Sequence, residues 1–171
     1  MPTEIHPFKD FIPVNIKYLI LGSFTSKDAK KGVLYDWYYC NGRNQFWSII
    51  EQVYNVSLPT TEEKKKLFNT LQIGITDIIR KCERIQFNSL DKSLRLIEFN
   101  PSIPRIISED IDTIYFTSRF VERLFHKAYS NNICEPKKMK FVCLPSPSPR
   151  YAMLSKMDKV QIYRNLLPEI G

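Results

Sequence analysis

Histidine, glycine and clustered cysteine are what this chain is short of. Two histidines, His6 and His126, and five glycines stand among 171 residues. Neither histidine falls at the end of an apolar run, so a serine-hydrolase triad has no base and histidine general-base chemistry is not expected. The four cysteines, Cys40, Cys82, Cys134 and Cys143, form no C-x-x-C pair. Zinc and iron–sulfur ligands cluster in sequence, so no structural metal is expected. Reduced thiols serving as small buried apolar groups are the simpler reading. GSFTSKDAKKG at 22–32 occupies the place of a nucleotide-binding loop. It is not G-x-x-x-x-G-K-[ST] and lacks the glycine triplet of a dinucleotide fingerprint, so no nucleotide cofactor is expected. The chain also has no apolar run of about 18 residues and no basic-then-apolar leader. No membrane partner and a cytoplasmic location are the resulting expectations.

What is present suits one soluble domain spanning 1–171, with 43% hydrophobic and 25% charged residues. A domain of this size buries roughly 70% of its unfolded surface and needs no staple. Lys plus Arg (25) exceed Asp plus Glu (18) by 7, and the pI is near 9.2. That balance favours a polyanionic partner or an anionic surface. The basic residues are scattered, as Lys30-Lys31, Lys64-Lys65-Lys66, Arg80-Lys81 with Arg84, and Lys137-Lys138 with Lys140. The Lys64–Lys66 run follows Glu62 and Glu63 and reads as a solvated helix face.

Four segments read as strands: 17–22 (KYLILG), 72–78 (QIGITDI), 113–118 (TIYFTS) and 140–144 (KFVCL). The first, third and fourth are short continuous apolar runs, the pattern of strands buried on both faces. Residues 44–54 (NQFWSIIEQVY) set Phe46, Trp47, Ile50 and Tyr54 along one side at helical spacing. Thr60 or Thr61 caps a following helix, with Glu62 and Glu63 in its first turn. Further helices are expected over 91–99, 104–108, 119–129 and 156–166. Strands alternating with helices imply a single α/β domain, its mostly parallel sheet covered by helices on both faces.

Ligands of such sheets bind beyond the carboxyl ends of the strands. The loops at 23–26 and 77–81 and the stretch FVCLPSPSPRYA at 141–152 are therefore the places to look. The last holds three alternate prolines and two serines before an arginine, far stiffer than an ordinary turn requires.

In order along the chain, ILGSFTS, YYCNGRNQFWSII, GITDIIR and LPSPSPRYA resemble the uracil-DNA glycosylase superfamily. The resemblance is to its mismatch-specific uracil/thymine glycosylases and its hypoxanthine-DNA glycosylase-like branch. It spans His6-Pro7-Phe8 to about Tyr163. It implies a four-stranded parallel sheet of order 2-1-3-4. It also implies hydrolysis of the N-glycosidic bond of a flipped base, without metal or cofactor.

Carried over residue by residue, the resemblance is uneven. Mismatch-specific relatives read G-I-N-P-G in the first loop, where the asparagine orients the attacking water. Here Gly22 matches, but Phe24 stands at the asparagine position. In the hypoxanthine-type branch another asparagine takes that task, and Asn44 is its match. Capping of the helix that begins there explains Asn44 equally, and one residue can do both. Tyr39 falls where relatives stack an aromatic on the flipped base, or is one more aromatic of a tyrosine-rich stretch. Ser23 and Phe24 would line the pocket with backbone N–H groups that stabilise a departing base anion. Thr76 and Asp77 would read a base edge, or cap a helix.

Relatives carry H-P-S-P-L-S or N-P-S-G-L-S at the fourth strand. Leu144-Pro145-Ser146 matches the core of that motif, and Pro147-Ser148-Pro149 the segment that enters the duplex. A wedge stiffened beforehand spends no energy on ordering. Ser146 and Ser148 can bond phosphate oxygens, and Arg150 can add charge. Leu144 replaces the histidine of the uracil-only branch, which implies a slower and broader enzyme.

The expectation is a monomeric, monofunctional DNA glycosylase of base-excision repair, nucleoid-associated in a bacterial cell, acting on uracil or hypoxanthine in DNA carrying a damaged or mismatched base. No motif places a lysine for a Schiff base, so no lyase activity is expected. Two rivals remain: a non-catalytic module that binds modified bases or DNA, and a small-molecule nucleoside hydrolase on the same fold.

Overall fold

A computed structural model describes residues 3–25, 34–84, 94–133 and 139–171. Ser26, Lys30, Lys31, Cys134, Lys137, Lys138 and residues 91–93 lie outside the described residues. The strands are β1 (Thr3–Ile5), β2 (Tyr18–Gly22), β3 (Ile73–Asp77), β4 (Ile79–Arg84), β5 (Leu94–Phe99), β6 (Thr113–Phe116) and β7 (Lys140–Cys143). The helices are α1 (Phe46–Tyr54), α2 (Thr61–Thr70), α3 (Ile103–Ser108), α4 (Arg119–Tyr129) and α5 (Lys156–Leu166).

The central sheet is four-stranded and all parallel, in the order β3-β2-β6-β7. Numbered among themselves these strands run 2-1-3-4, as expected. Alternation along the strands sorts two cores. Ile20, Ile73, Ile75 and Tyr115 meet Phe46, Trp47 and Ile50 of α1, Phe68 of α2, and Val160 and Tyr163 of α5. On the other face, Leu19, Leu21, Ile114 and Phe116 meet Ile103, Ile106 and Ile107 of α3 and Val121 and Phe125 of α4. Covering both faces is what continuous apolar strands demand. At the β7 edge the pattern weakens: Lys140 and Phe141 are exposed and Val142 only half-buried, so burial on both faces does not hold there.

A second, three-stranded antiparallel sheet, β1-β4-β5, was not expected from the sequence. Residues 77–81 are not a loop, because β3 runs on through Ile78 directly into β4. The N–H groups of Ile78 and Ile79 still bond Gly22 O at 2.8 Å and Ser23 O at 3.1 Å. Over 94–99, the described part of the helix expected at 91–99, β5 stands instead, paired with β4. Leu94 and Leu96 face inward while Arg95 and Ile97 face out. Register shifts near Lys81 break the later alternation, and a local reading misses it.

Helix ends follow their capping chemistry. Thr60 and Glu63 form a capping box for α2, and Ser155 and Asp158 form one for α5. The Lys64–Lys66 run is not wholly solvated: Lys64 is buried, its Nζ 5.5 Å from the Trp47 ring centroid. Among the described residues no helix is long and apolar enough to cross a membrane.

Candidate functional site

The carboxyl edge of the central sheet gathers residues from four segments. Gly22 ends β2 and Asp77 ends β3, in register with each other. A Cβ built on Gly22 would lie 2.1 Å from the Tyr39 hydroxyl oxygen and 2.3 Å from Asp77 Oδ1. Only a glycine lets both groups close over the strand end. Tyr39 adopts a left-handed backbone, φ 57°, which costs a non-glycine residue about 1–2 kcal/mol. That turn stacks its ring on Phe46, centroids 4.5 Å apart. Its hydroxyl donates to Thr117 Oγ1 at 3.3 Å, just past β6. Such strain marks a residue held in place by its surroundings.

Asp77 is 3% exposed and is met by His6, which carries no site signal in the sequence. His6 follows β1, whose pairing with β4 brings it to the sheet edge, where its N–H bonds Arg80 O at 2.8 Å. His6 Nε2 lies 2.7 Å from Asp77 Oδ2, and Thr25 Oγ1 donates to the same oxygen at 2.8 Å. Burial opposes charge on the imidazole, yet the bond and charge of Asp77 outweigh it and raise the His6 pKa. His6 thus lies at the sheet's carboxyl edge although it ends no apolar run, which corrects the expectation that no histidine reaches the site. Phe8, Phe24 and Tyr38 enclose its ring, with centroids 6.1, 5.5 and 5.5 Å away. The Phe24 side chain thus packs on His6, with the Arg84 guanidinium 5.8 Å from its ring.

Beside this pair a second buried network closes. Thr76 and Asn100 Nδ2 both donate to Asp10 Oδ1, the latter at 2.8 Å. Asn100 Nδ2 also reaches Asp77 O at 3.1 Å. Burial pushes the Asp10 carboxyl up, but the bonds from Thr76, Asn100 and Ser102 prevail and hold it below its ordinary value. Thr76 is thus turned toward Asp10, and neither Thr76 nor Asp77 caps a helix. An antiparallel bridge between Phe11 and Ile75 sets Asp10 there. Asp10 and Asn100 carried no signal beyond the turn propensity of Asn100-Pro101.

Asn44 stands one residue before the N-cap of α1, which is Gln45. Its Oδ1 accepts from Phe46 N–H at 2.8 Å, so the side chain does a cap's work from outside the helix. Its own N–H donates to Asn41 Oδ1 at 2.7 Å. The half-buried carboxamide is therefore held in one orientation.

The proline loop is anchored at its foot and free at its tip. Leu144 and Pro147 are buried; Pro145, Ser146 and Ser148 are half-buried; Pro149, Arg150 and Tyr151 are exposed. Gln45 N–H donates to Pro147 O at 2.9 Å, tying the loop to the turn that carries Asn44. From α5, Tyr163 donates to Pro145 O at 2.7 Å, and Lys159 donates to Ser148 O and to Gln45 Oε1, each at 3.0 Å. The side chains of Ser146 and Ser148 accept from Ser148 N–H and Arg150 N–H, both at 3.3 Å. In the sequence, Lys159 and Tyr163 carry no signal beyond their place in the helix expected over 156–166. Among the described residues no three His, Cys, Asp or Glu side chains are grouped to hold a metal ion.

No protein-family model and no curated protein matches this chain. Among solved structures it is similar to a solution NMR structure of a "putative Uracil DNA glycosylase" from Methanosarcina acetivorans. The TM-score is 0.67 and the identity 22%, over 94% of this chain and 97% of that one. The chain therefore shares the fold of that structure.

Proposed function

We propose that this protein is a monofunctional DNA glycosylase that hydrolyses the N-glycosidic bond of deaminated bases, uracil or hypoxanthine, flipped out of DNA. The observation that carries this reading is the meeting of Gly22, Tyr39 and Asp77 at the carboxyl edge of the sheet, beside the bonded pair of the Asn44 turn and the proline loop.

Asp77 gives the site a chemical preference. Its Oδ2 is occupied by His6 and Thr25, and its Oδ1 lies against Gly22. An ionised carboxylate only accepts hydrogen bonds. It suits a base edge with an imino N–H, such as N3–H of uracil or N1–H of hypoxanthine. Cytosine and adenine present a lone pair at the same place, and burying two facing acceptors is costly. Tyr39 stacks on the base, and Thr76 helps hold the strand end. The N–H groups of Ser23 and Phe24 stabilise the base as it leaves.

The C1′–N bond breaks with its electron pair passing to the base, leaving an oxocarbenium-like sugar. Asn44 orients the water whose oxygen bonds C1′, and the proton that water sheds neutralises the departed base. Ser146, Pro147, Ser148, Pro149 and Arg150 form the DNA-contacting loop. Pro147 serves as its buried base, while Pro149 and Arg150 meet the duplex.

Oligonucleotides carrying uracil, hypoxanthine, xanthine or a thymine mismatch test this directly. Release of a lactam base to leave an abasic site, with cytosine and adenine untouched, is the expected result. Salt-dependent DNA binding with no base released from any of them would instead support a non-catalytic binding module. Phe24 at the place of an asparagine keeps that second reading in view.

A further inference from the structure

Lys159 is 1% exposed, as buried as the core residue Leu144. A lysine so deep ordinarily faces a carboxylate. Lys159 instead donates to two neutral oxygens, Gln45 Oε1 and Ser148 O, each at 3.0 Å. None of the ion pairs among the described residues includes it. The Tyr151 ring is 5.6 Å from its Nζ. Burial accordingly lowers its pKa. A methionine would fill this space without desolvating a charge, so core stability alone does not call for an ammonium here.

What the ammonium does is join two segments that meet nowhere in sequence. Gln45 follows Asn44 at the N-cap position of α1, 114 residues before Lys159. Ser148 lies in the proline loop, 11 residues before it. The same segments share the bond from Gln45 N–H to Pro147 O at 2.9 Å. Lys159 closes that bond into a ring with one side chain.

We infer that Lys159 is a positioning residue that fastens the proline loop to the turn carrying Asn44, making engagement of DNA by the loop and alignment of Asn44 one event. The catalytic half rests on the glycosylase reading; the fastening does not. A loop and a carboxamide held together are ordered at a single entropic cost, before the duplex arrives. Left separate, each would need ordering after binding, and small misplacement of a water-orienting group is costly in rate.

Lys159→Met keeps the stem and removes the donors. Amide hydrogen exchange at Gln45 should quicken by about tenfold or more, while amides of β2 and β6 keep their protection. Single-turnover base release should fall by about 10- to 100-fold. In an Asn44→Ala background the same substitution should cost nothing further, since both changes remove one alignment. A lysine that merely filled the core would slow both backgrounds equally. If Lys159→Met does not fold, Gln45→Met removes one acceptor and leaves the lysine; the same two changes are then expected in weaker form. Unchanged Gln45 exchange, or losses that multiply in the double variant, overturns the inference. Absence of base release by the wild-type protein would sink the glycosylase reading alone, because Gln45 exchange still decides the fastening.

Discussion

His6 and Asp77, 71 residues apart, meet through a 2.7 Å contact between Nε2 and Oδ2, with side chains 5% and 3% exposed. His6 Nδ1 sits 3.0 Å from Phe8 O and 3.2 Å from Phe8 N. The protonated ring can donate to the first and the neutral ring accept from the second, so both protonation states are accommodated. The pair joins the second sheet to the carboxyl edge of the first, and it fixes which oxygen of Asp77 remains toward Gly22.

Removing His6 should therefore be costly. His6→Ala leaves a buried carboxylate short of its strongest donor, and about 3–5 kcal/mol of stability should be lost in denaturant titration. The pH dependence has a definite sign. The His6 pKa is raised in the folded protein, so the contribution is full below its unfolded value, about 6.5. It disappears as pH rises through the folded value. The stability gap between wild type and His6→Gln should be larger near pH 5.5 than near pH 9, those being rough values either side of the histidine range. A gap that widens with pH would contradict this assignment.

Gly22→Ala places a methyl group 2.1 Å from the Tyr39 hydroxyl and 2.3 Å from Asp77 Oδ1. Both must move, at a cost of about 1–3 kcal/mol. Base release should fall far more than thermal stability. Equal activity in a folded Gly22→Ala protein would remove this corner from the site.

Asn44→Ala should lower single-turnover release by about 10²-fold or more, the scale for losing one oriented polar group. It also deprives Phe46 N–H of its acceptor, worth about 1 kcal/mol of stability by analogy with a lost cap. Stability loss without loss of chemistry would leave Asn44 as a cap alone.

DNA binding should weaken with salt as expected for about 3–6 phosphate contacts. Arg43 and Arg150 are exposed on turns, before α1 and after β7, and Arg119 opens α4. Arg119 is paired with Glu122 at 2.7 Å, so Arg43 and Arg150 should contribute more. Affinity flat with salt would exclude a DNA ligand and favour a nucleoside.

The last two prolines of the loop, Pro147 and Pro149, should part company. Pro149 is exposed, and Pro149→Gly should impair cleavage of duplex more than of single strand, where no stacked base need be expelled. Pro147 is buried and bonded to Gln45, so Pro147→Gly should impair both substrates and lower stability. Equal losses on both substrates for Pro149→Gly would mean that the tip shapes the pocket and is no wedge.

Much of this molecule was legible one segment at a time. The runs KYLILG and TIYFTS become strands inside the central sheet because unbroken apolar stretches can be buried only with both faces covered. Residues 119–129 and 156–166 are helices to the residue expected, since Ser118 and Ser155 cap them. Order and spacing likewise put Gly22, Asp77 and the proline loop at one sheet edge. Burial periodicity and capping act over a few residues, so a chain alone determines them.

The rest depended on pairs distant in sequence. LRLIEF has no fixed preference until β4 supplies the neighbour that makes it a strand. His6 is an ordinary terminal residue until β1 pairs with β4 and carries it to Asp77. Lys159 reads as one more basic helix position, and only packing of α5 on α1 turns it to Gln45 and Ser148. His6 and Lys159 are polar groups buried by long-range packing, and burial then obliges each to find whatever partner the fold brings within reach. Local sequence determined the elements and the edge where the site lies, whereas tertiary structure alone decided which charges meet there.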